Sequence, residues 1–194
     1  MNRTPPDVLA TDDAVLVCAS DDAVRFRVRR ALQREWPVRT AVTAREAVAS
    51  LGTRISVVVL DDADSGFAAA LARREHRPLV EVVGLLERGA DATAEWFDAS
   101  VRKPFEDREL RAAVERLQRR VRYDRLLRRY YAMANDYAGL AARAGEADPA
   151  ELSHLRERLT EVREELDALA ATLDDGDAID VAVRSFEPGR DDPE

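Results

Sequence analysis

Lysine and arginine together number 30 in this 194-residue chain, and only Lys103, in the run Val101-Arg102-Lys103-Pro104-Phe105, is lysine. A lysine ammonium is a compact charge on a flexible stem. It reaches a small anion where the planar arginine fork fits less well. The natural counterpart is Asp61, which with Asp62 closes the apolar run Ile55-Ser56-Val57-Val58-Val59-Leu60. Brought together, the two groups could act on an anion or neutralise each other as an ion pair. Other reactive side chains have no sequence context for chemistry. Cys18 is the only cysteine, lies in an apolar run and reads as a buried, inert thiol. With one cysteine and two histidines, no zinc site is expected. His76 and His154 have no neighbour that would make either a base, and Ser65, Ser153 and Ser185 have no nucleophile context. Neither a phosphate-binding P-loop nor a dinucleotide-binding glycine motif is present. No enzymatic activity is expected.

The elements that must position Asp61 and Lys103 alternate along the first half. Ala14-Val15-Leu16-Val17-Cys18 and Ile55 to Leu60 are continuous apolar runs, the mark of strands buried on both faces. Val38–Val42, Leu79–Leu86 and Ala99–Arg102 complete five strands. Between them fall helices: one capped by Ser20 or Asp21, one capped by Thr43 with Glu46 at the capping-box position, one through Phe67, Ala70 and Leu71, and a short one near 92–97. Five βα units predict an α/β fold with a doubly wound parallel sheet, and the handedness of crossovers leaves a few such topologies open. In such sheets the functional crevice lies at the carboxyl ends of the strands. Those ends carry Ala19-Ser20, Asp61-Asp62, Gly84 and Lys103-Pro104.

From Glu106 to Asp175 the chain reads as helix with one interruption. Leu152, Leu155, Leu159, Val162, Leu166, Leu169 and Leu173 follow an alternating spacing of three and four, an unbroken heptad seam. Leu126, Tyr130, Met133, Tyr137, Leu140 and Ala144 form a matching seam upstream. Asp148, Pro149 and Glu151 start the second helix at N-cap, N1 and N3. An antiparallel helical hairpin follows. The earlier seam Leu110, Val114, Leu117, Val121 slips by one before Leu126, marking where the helix stops packing on the sheet. The expected organisation is 1–12 disordered, 13–120 the α/β domain, 121–176 the hairpin and 177–194 an acidic, mostly disordered tail. In that tail, 179–183 alternates in polarity and could form a short strand.

Val15-Leu16-Val17-Cys18, Val57-Val58-Val59-Leu60-Asp61 and Lys103-Pro104-Phe105 with Glu109-Leu110 together resemble a receiver domain of two-component signalling. The phrase YDRLLRRYYAMAN and the leucine heptad resemble the HalX domain, which follows receiver domains in haloarchaea. The resemblance implies a flavodoxin-like five-stranded sheet of strand order 2-1-3-4-5, with Asp61 as the phosphoacceptor for a histidine kinase. It also implies two acidic residues after the first strand for Mg²⁺, a hydroxyl after the fourth strand, an aromatic residue on the fifth, and a lysine, usually before a cis proline, that pairs with the phosphate.

The chain departs from that pattern. The acidic positions are Ala19 and Ser20, the hydroxyl position is Gly84, the aromatic position is Ser100, and the loop after Asp61 is short and lacks the Met-Pro-Gly turn. Magnesium needs several hard oxygen ligands, and phosphoryl transfer depends on positioning and charge neutralisation. The expectation is a degenerate receiver with no metal and no cofactor, in which Asp61 and Lys103 form an ion pair. The alternatives are a receiver phosphorylated on Asp61 with Mg²⁺, and a constitutive oligomerising adaptor.

A formal charge of −8 argues against a nucleic-acid partner, and abundant arginine with surplus Asp and Glu suits a halophile. The basic stretch from Arg119 to Arg129 is expected to pair with Glu161, Glu164, Glu165 and Asp167 across the hairpin. No apolar run is long enough to span a bilayer and no signal peptide is evident, so a cytoplasmic protein is expected. The expected partners are a sensor histidine kinase or another signalling protein, with a homodimer through the hairpin possible.

Overall fold

The computed structural model describes residues 13–52, 54–61, 66–72, 79–89, 97–142, 149–174, 176–179 and 181, the side chains of 71 and 72 excepted. These fall into two compact units, one up to Val121 and one from Arg122.

The first unit is a parallel five-stranded sheet. In chain order it comprises β1 (Ala14–Cys18), α1 (Asp22–Leu32), β2 (Val38–Ala41), α2 (Ala44–Ser50), β3 (Ile55–Asp61), α3 (Gly66–Ala72), β4 (Glu81–Leu86) and β5 (Ala99–Arg102), followed by the start of α4 (Asp107–Ala142). The spatial order is β2-β1-β3-β4-β5, with every pairing parallel. β1, β3 and β4 are buried along their whole length, as their unbroken apolar runs require. Alternation then splits the core in two. Val15, Val17, Val57, Val59, Val83 and Leu85 pack with Val28 and Leu32 of α1 and with Leu110, Val114 and Leu117 of α4. Leu16, Cys18, Val58, Leu60 and Val82 pack with Ala47 and Val48 of α2 and Phe67 of α3. Both faces are covered, so the fold is doubly wound.

The caps explain the helix starts. Asp21 Oδ1 accepts from the amides of Ala23 at 2.7 Å and Val24 at 3.4 Å. Thr43 Oγ1 accepts from the Glu46 amide at 3.2 Å, and Glu46 reaches back to the Val42 amide at 2.8 Å, one residue earlier than the usual capping box. The Glu109 and Leu110 amides return to the Glu106 carbonyl and open α4. The expected helix near 92–97 lies, but for Phe97, outside the described residues, and so do His76, Ser65, Asp62, Ala144 and Asp148.

The second unit pairs the later part of α4 with α5 (Pro149–Ala170). Arg122 Nη2 donates to Glu165 Oε1 at 2.6 Å across 43 positions, so the two helices run antiparallel. This is one of the pairs expected across the hairpin, but Arg128 meets Asp124 of its own helix at 3.1 Å, and Arg119 and Arg120 face Glu115 and Glu81 rather than α5. In the seam, Val162, Leu166 and Leu169 are buried, while Leu152, Leu155, Leu159 and Leu173 are half-buried. Beyond α5, residues 176–179 and 181 are helical rather than the strand suggested by their alternation. The Asp177 and Ala178 amides both return to the Asp174 carbonyl, closing a helical turn, and Asp177 and Val181 are buried. Here local turn hydrogen bonds override a short alternating pattern.

The burial gradient along α5 predicts unequal costs. Leu166→Ala should destabilise the protein by about 2–5 kcal/mol. Leu155→Ala, at a less completely buried position, should cost less. Urea unfolding of the two variants measures the difference, and equal losses would contradict the gradient.

Candidate functional site

The pocket is built by three strand ends. β3 delivers Asp61 opposite Leu85 of β4, and Cys18 of β1 lies opposite Leu60, so Ala19 follows at the level of Asp61. β5 ends at Arg102. The Lys103 amide then donates to the Leu86 carbonyl at 2.8 Å, and the Lys103–Pro104 peptide is cis. Lys103 Nζ donates to Asp61 Oδ1 and, at 2.9 Å, to Glu87 Oε1. The side chains of Lys103 and Asp61 are 18% and 7% exposed, whereas Glu87 is 68% exposed. A buried carboxylate is costly unless paired and hydrogen-bonded, and Lys103 meets that need for Asp61. Arg27 of α1 holds the turn that carries the lysine. It donates to the Phe105 carbonyl and stacks on the Phe105 ring at 4.8 Å.

The residues after β1 do not fit a divalent cation. Ala19 and Ser20 bring no carboxylate. Asp21 is committed to capping α1, and the exposed Asp22 pairs with Arg25. Arg25 also donates from Nη1 to the Ala19 carbonyl at 2.6 Å and the Ser20 carbonyl at 3.3 Å. A guanidinium thus sits on the backbone oxygens of the loop where hard ligands would be needed. Among the described residues no cluster of three His, Cys, Asp or Glu side chains could hold a metal ion.

The structure brings Asp61 and Lys103 together and leaves Gly84 and Ser100 apart from them. Gly84 lies in register with Leu60 and Ser100, one step short of Asp61. A Cβ on Gly84 would fall 2.5 Å from the ring of Phe97, so the space of a side chain there is filled by an aromatic residue from the segment before β5. Ser100 is exposed. The residues that flank Lys103 at the end of β4 are Leu86, the last of the strand, buried and without a hydroxyl, and Glu87 just after it. Glu87, Phe97, Arg25 and Arg27 escaped the reading of the sequence. The one available signal was that Glu87 directly follows an apolar run, as Asp61 ends one.

Burial by itself lowers the pKa of Lys103 and is the largest single influence. The hydrogen bonds and charges of Asp61 and Glu87 together outweigh it, and the ammonium is held above the ordinary value of 10.5. A raised folded-state pKa contributes stability that is complete below the unfolded value and is lost as pH climbs through the folded one. The stability advantage of the wild type over Lys103→Met should therefore be constant up to about pH 10 and shrink above it; alkaline urea titrations of both proteins measure this. At the neighbouring position, Gly84→Ala should cost about 1–3 kcal/mol by overpacking. In a Phe97→Ala background most of that penalty should vanish, which a double-mutant cycle reads directly.

Comparison with known proteins agrees with this geometry. Residues 119–183 match the HalX domain. A "Putative transcriptional regulator" of Haloferax volcanii is 31% identical over 174 residues, covering 86% of this chain, while this chain spans only 30% of that protein's length. Among solved structures, a response regulator receiver modulated diguanylate cyclase from Pelobacter carbinolicus superposes with a TM-score of 0.50 at 20% identity, over 57% of this chain and 96% of that one. NtrX from Brucella abortus, solved in complex with ADP, gives a TM-score of 0.53 at 25% identity, over 65% of this chain and 30% of that one. Among the described residues no helix is long and apolar enough to cross a membrane. The first unit thus has the fold of a response regulator receiver domain, and residues 119–183 match the HalX domain.

Proposed function

We infer that this chain is a response-regulator-like signalling protein whose receiver unit works without phosphorylation and whose HalX hairpin is the output surface toward a protein partner. One observation carries the reading: Lys103 is already engaged by Asp61 and Glu87, while the positions that would hold a metal present Ala19, Ser20 and the Arg25 guanidinium. The pocket keeps the ion pair of its fold without the charge neutralisation that phosphoryl transfer requires.

Protein contact as the mode of action is supported by charge and surface. The formal charge of −8 disfavours a phosphate backbone as ligand, and the arginines of the basic stretch are drawn into pairs such as Arg122–Glu165. Phe26 on α1 is 68% exposed, with the exposed Arg29 and Arg30 one helical turn further along, an apolar point flanked by cations on one side. A sensor kinase or another signalling protein fits such a surface, and a homodimer through the half-buried hairpin seam fits the second unit. The name of the Haloferax relative suggests transcription as the process served. A cytoplasmic setting accords with this role.

Incubation with acetyl phosphate and Mg²⁺, read by intact mass, tests the pocket. The wild type should gain no phosphoryl adduct. An adduct that disappears in Asp61→Asn would overturn the reading and establish a phosphorylatable receiver that tolerates the loss of both acidic positions.

A further inference from the structure

Pairing Asp61 requires one donor of Lys103, yet the structure gives the ammonium a second carboxylate. An ammonium has three donors, and Asp61 and Glu87 each take one. Glu87 is not placed there by chance of a long loop. It follows the last residue of β4, whose carbonyl accepts from the backbone amide of the same Lys103. Two residues on, Gly89 adopts φ 95°, a conformation that residues other than glycine rarely take. The end of β4 is therefore bound to Lys103 twice, once by backbone and once by side chain. On the other side of the pocket, Arg25 supplies a fixed cation to the Ala19 and Ser20 carbonyls. The crevice carries its own cations and its own second anion.

We propose that Glu87 is a tethered stand-in for a phosphoryl group: its carboxylate takes the donor of Lys103 that a phosphoryl oxygen would use and biases the end of β4 toward the lysine without any modification. The proposal rests on the reading of this unit as one that works without phosphorylation, and it names the group that replaces the modification. A carboxylate 68% exposed makes only a modest ion pair, so the hold shifts the local opening equilibrium by a small factor. That factor is enough to read by hydrogen exchange.

The experiment compares the full-length wild type with Glu87→Gln by amide exchange at one salt concentration, without phosphodonor or Mg²⁺. Its outcome is thereby separate from that of the phosphorylation test. Exchange at 86–89 and at the Lys103 amide should quicken about threefold in the variant, with the rest of the sheet unchanged. Added inorganic phosphate should then restore protection in Glu87→Gln and leave the wild type unaffected. Thermal unfolding of the variant verifies that the fold is intact, as expected for an exposed side chain. Unchanged exchange in Glu87→Gln would overturn the proposal. So would a quickening that phosphate does not reverse, or phosphate protection equal in both proteins, since either outcome reduces Glu87 to an ordinary surface pair.

Discussion

A carboxylate buried at the end of an apolar strand has to find a cation or give up its charge, and the pocket of this protein is arranged around that need. β3 is apolar from Ile55 to Leu60 except for Ser56, and its last residue is Asp61. Only the parallel order of the sheet brings a cation to it from 42 residues away, because parallel strands all end at the same edge. The Lys103 amide on Leu86 and the grip of Arg27 on Phe105 fix where the lysine stands. Each of these serves the one ion pair.

β4 shows the same logic at its other end. Glu81 opens the strand at 7% exposure, and Arg120 of α4, at 2%, lies 3.6 Å from it. A strand apolar along its length is thus bracketed by two carboxylates, each answered by a cation. The pair at Glu81 is buried on both sides, and removing one partner from such a pair strands a charge in a low dielectric. The pair at Glu87 is wet on one side. The first behaves as part of the core, the second as an adjustable contact at the rim.

Much of this was legible in the residues. The apolar runs of β1, β3 and β4, the spacing of Lys103-Pro104 and the leucine heptad are strong local signals, and the fold they imply is the fold observed. Glu87 and Phe97 were not legible. Glu87 sits in a polar turn where a carboxylate is unremarkable, and only the sheet register places it on Lys103. Phe97 fills the space over Gly84 from a neighbouring segment, so the glycine reads in sequence as a missing hydroxyl and in three dimensions as room made for a ring. Alternation misled at Ile179 and Val181, which are helical, because a five-residue pattern is a weak signal and a helical turn opens just before them at Asp174. Local patterns report how a segment folds; contacts between distant segments are fixed by topology.

Having a single lysine also limits what chemistry can reach this surface. The one side-chain amine in the chain is 18% exposed and holds two carboxylates. Reagents and enzymes that acylate or conjugate lysine need a free, deprotonated amine, and this one is covered and kept protonated. The surface is basic only through guanidinium groups, which do not acylate under the same conditions. Such a protein is, along its whole described surface, nearly silent to lysine-directed modification.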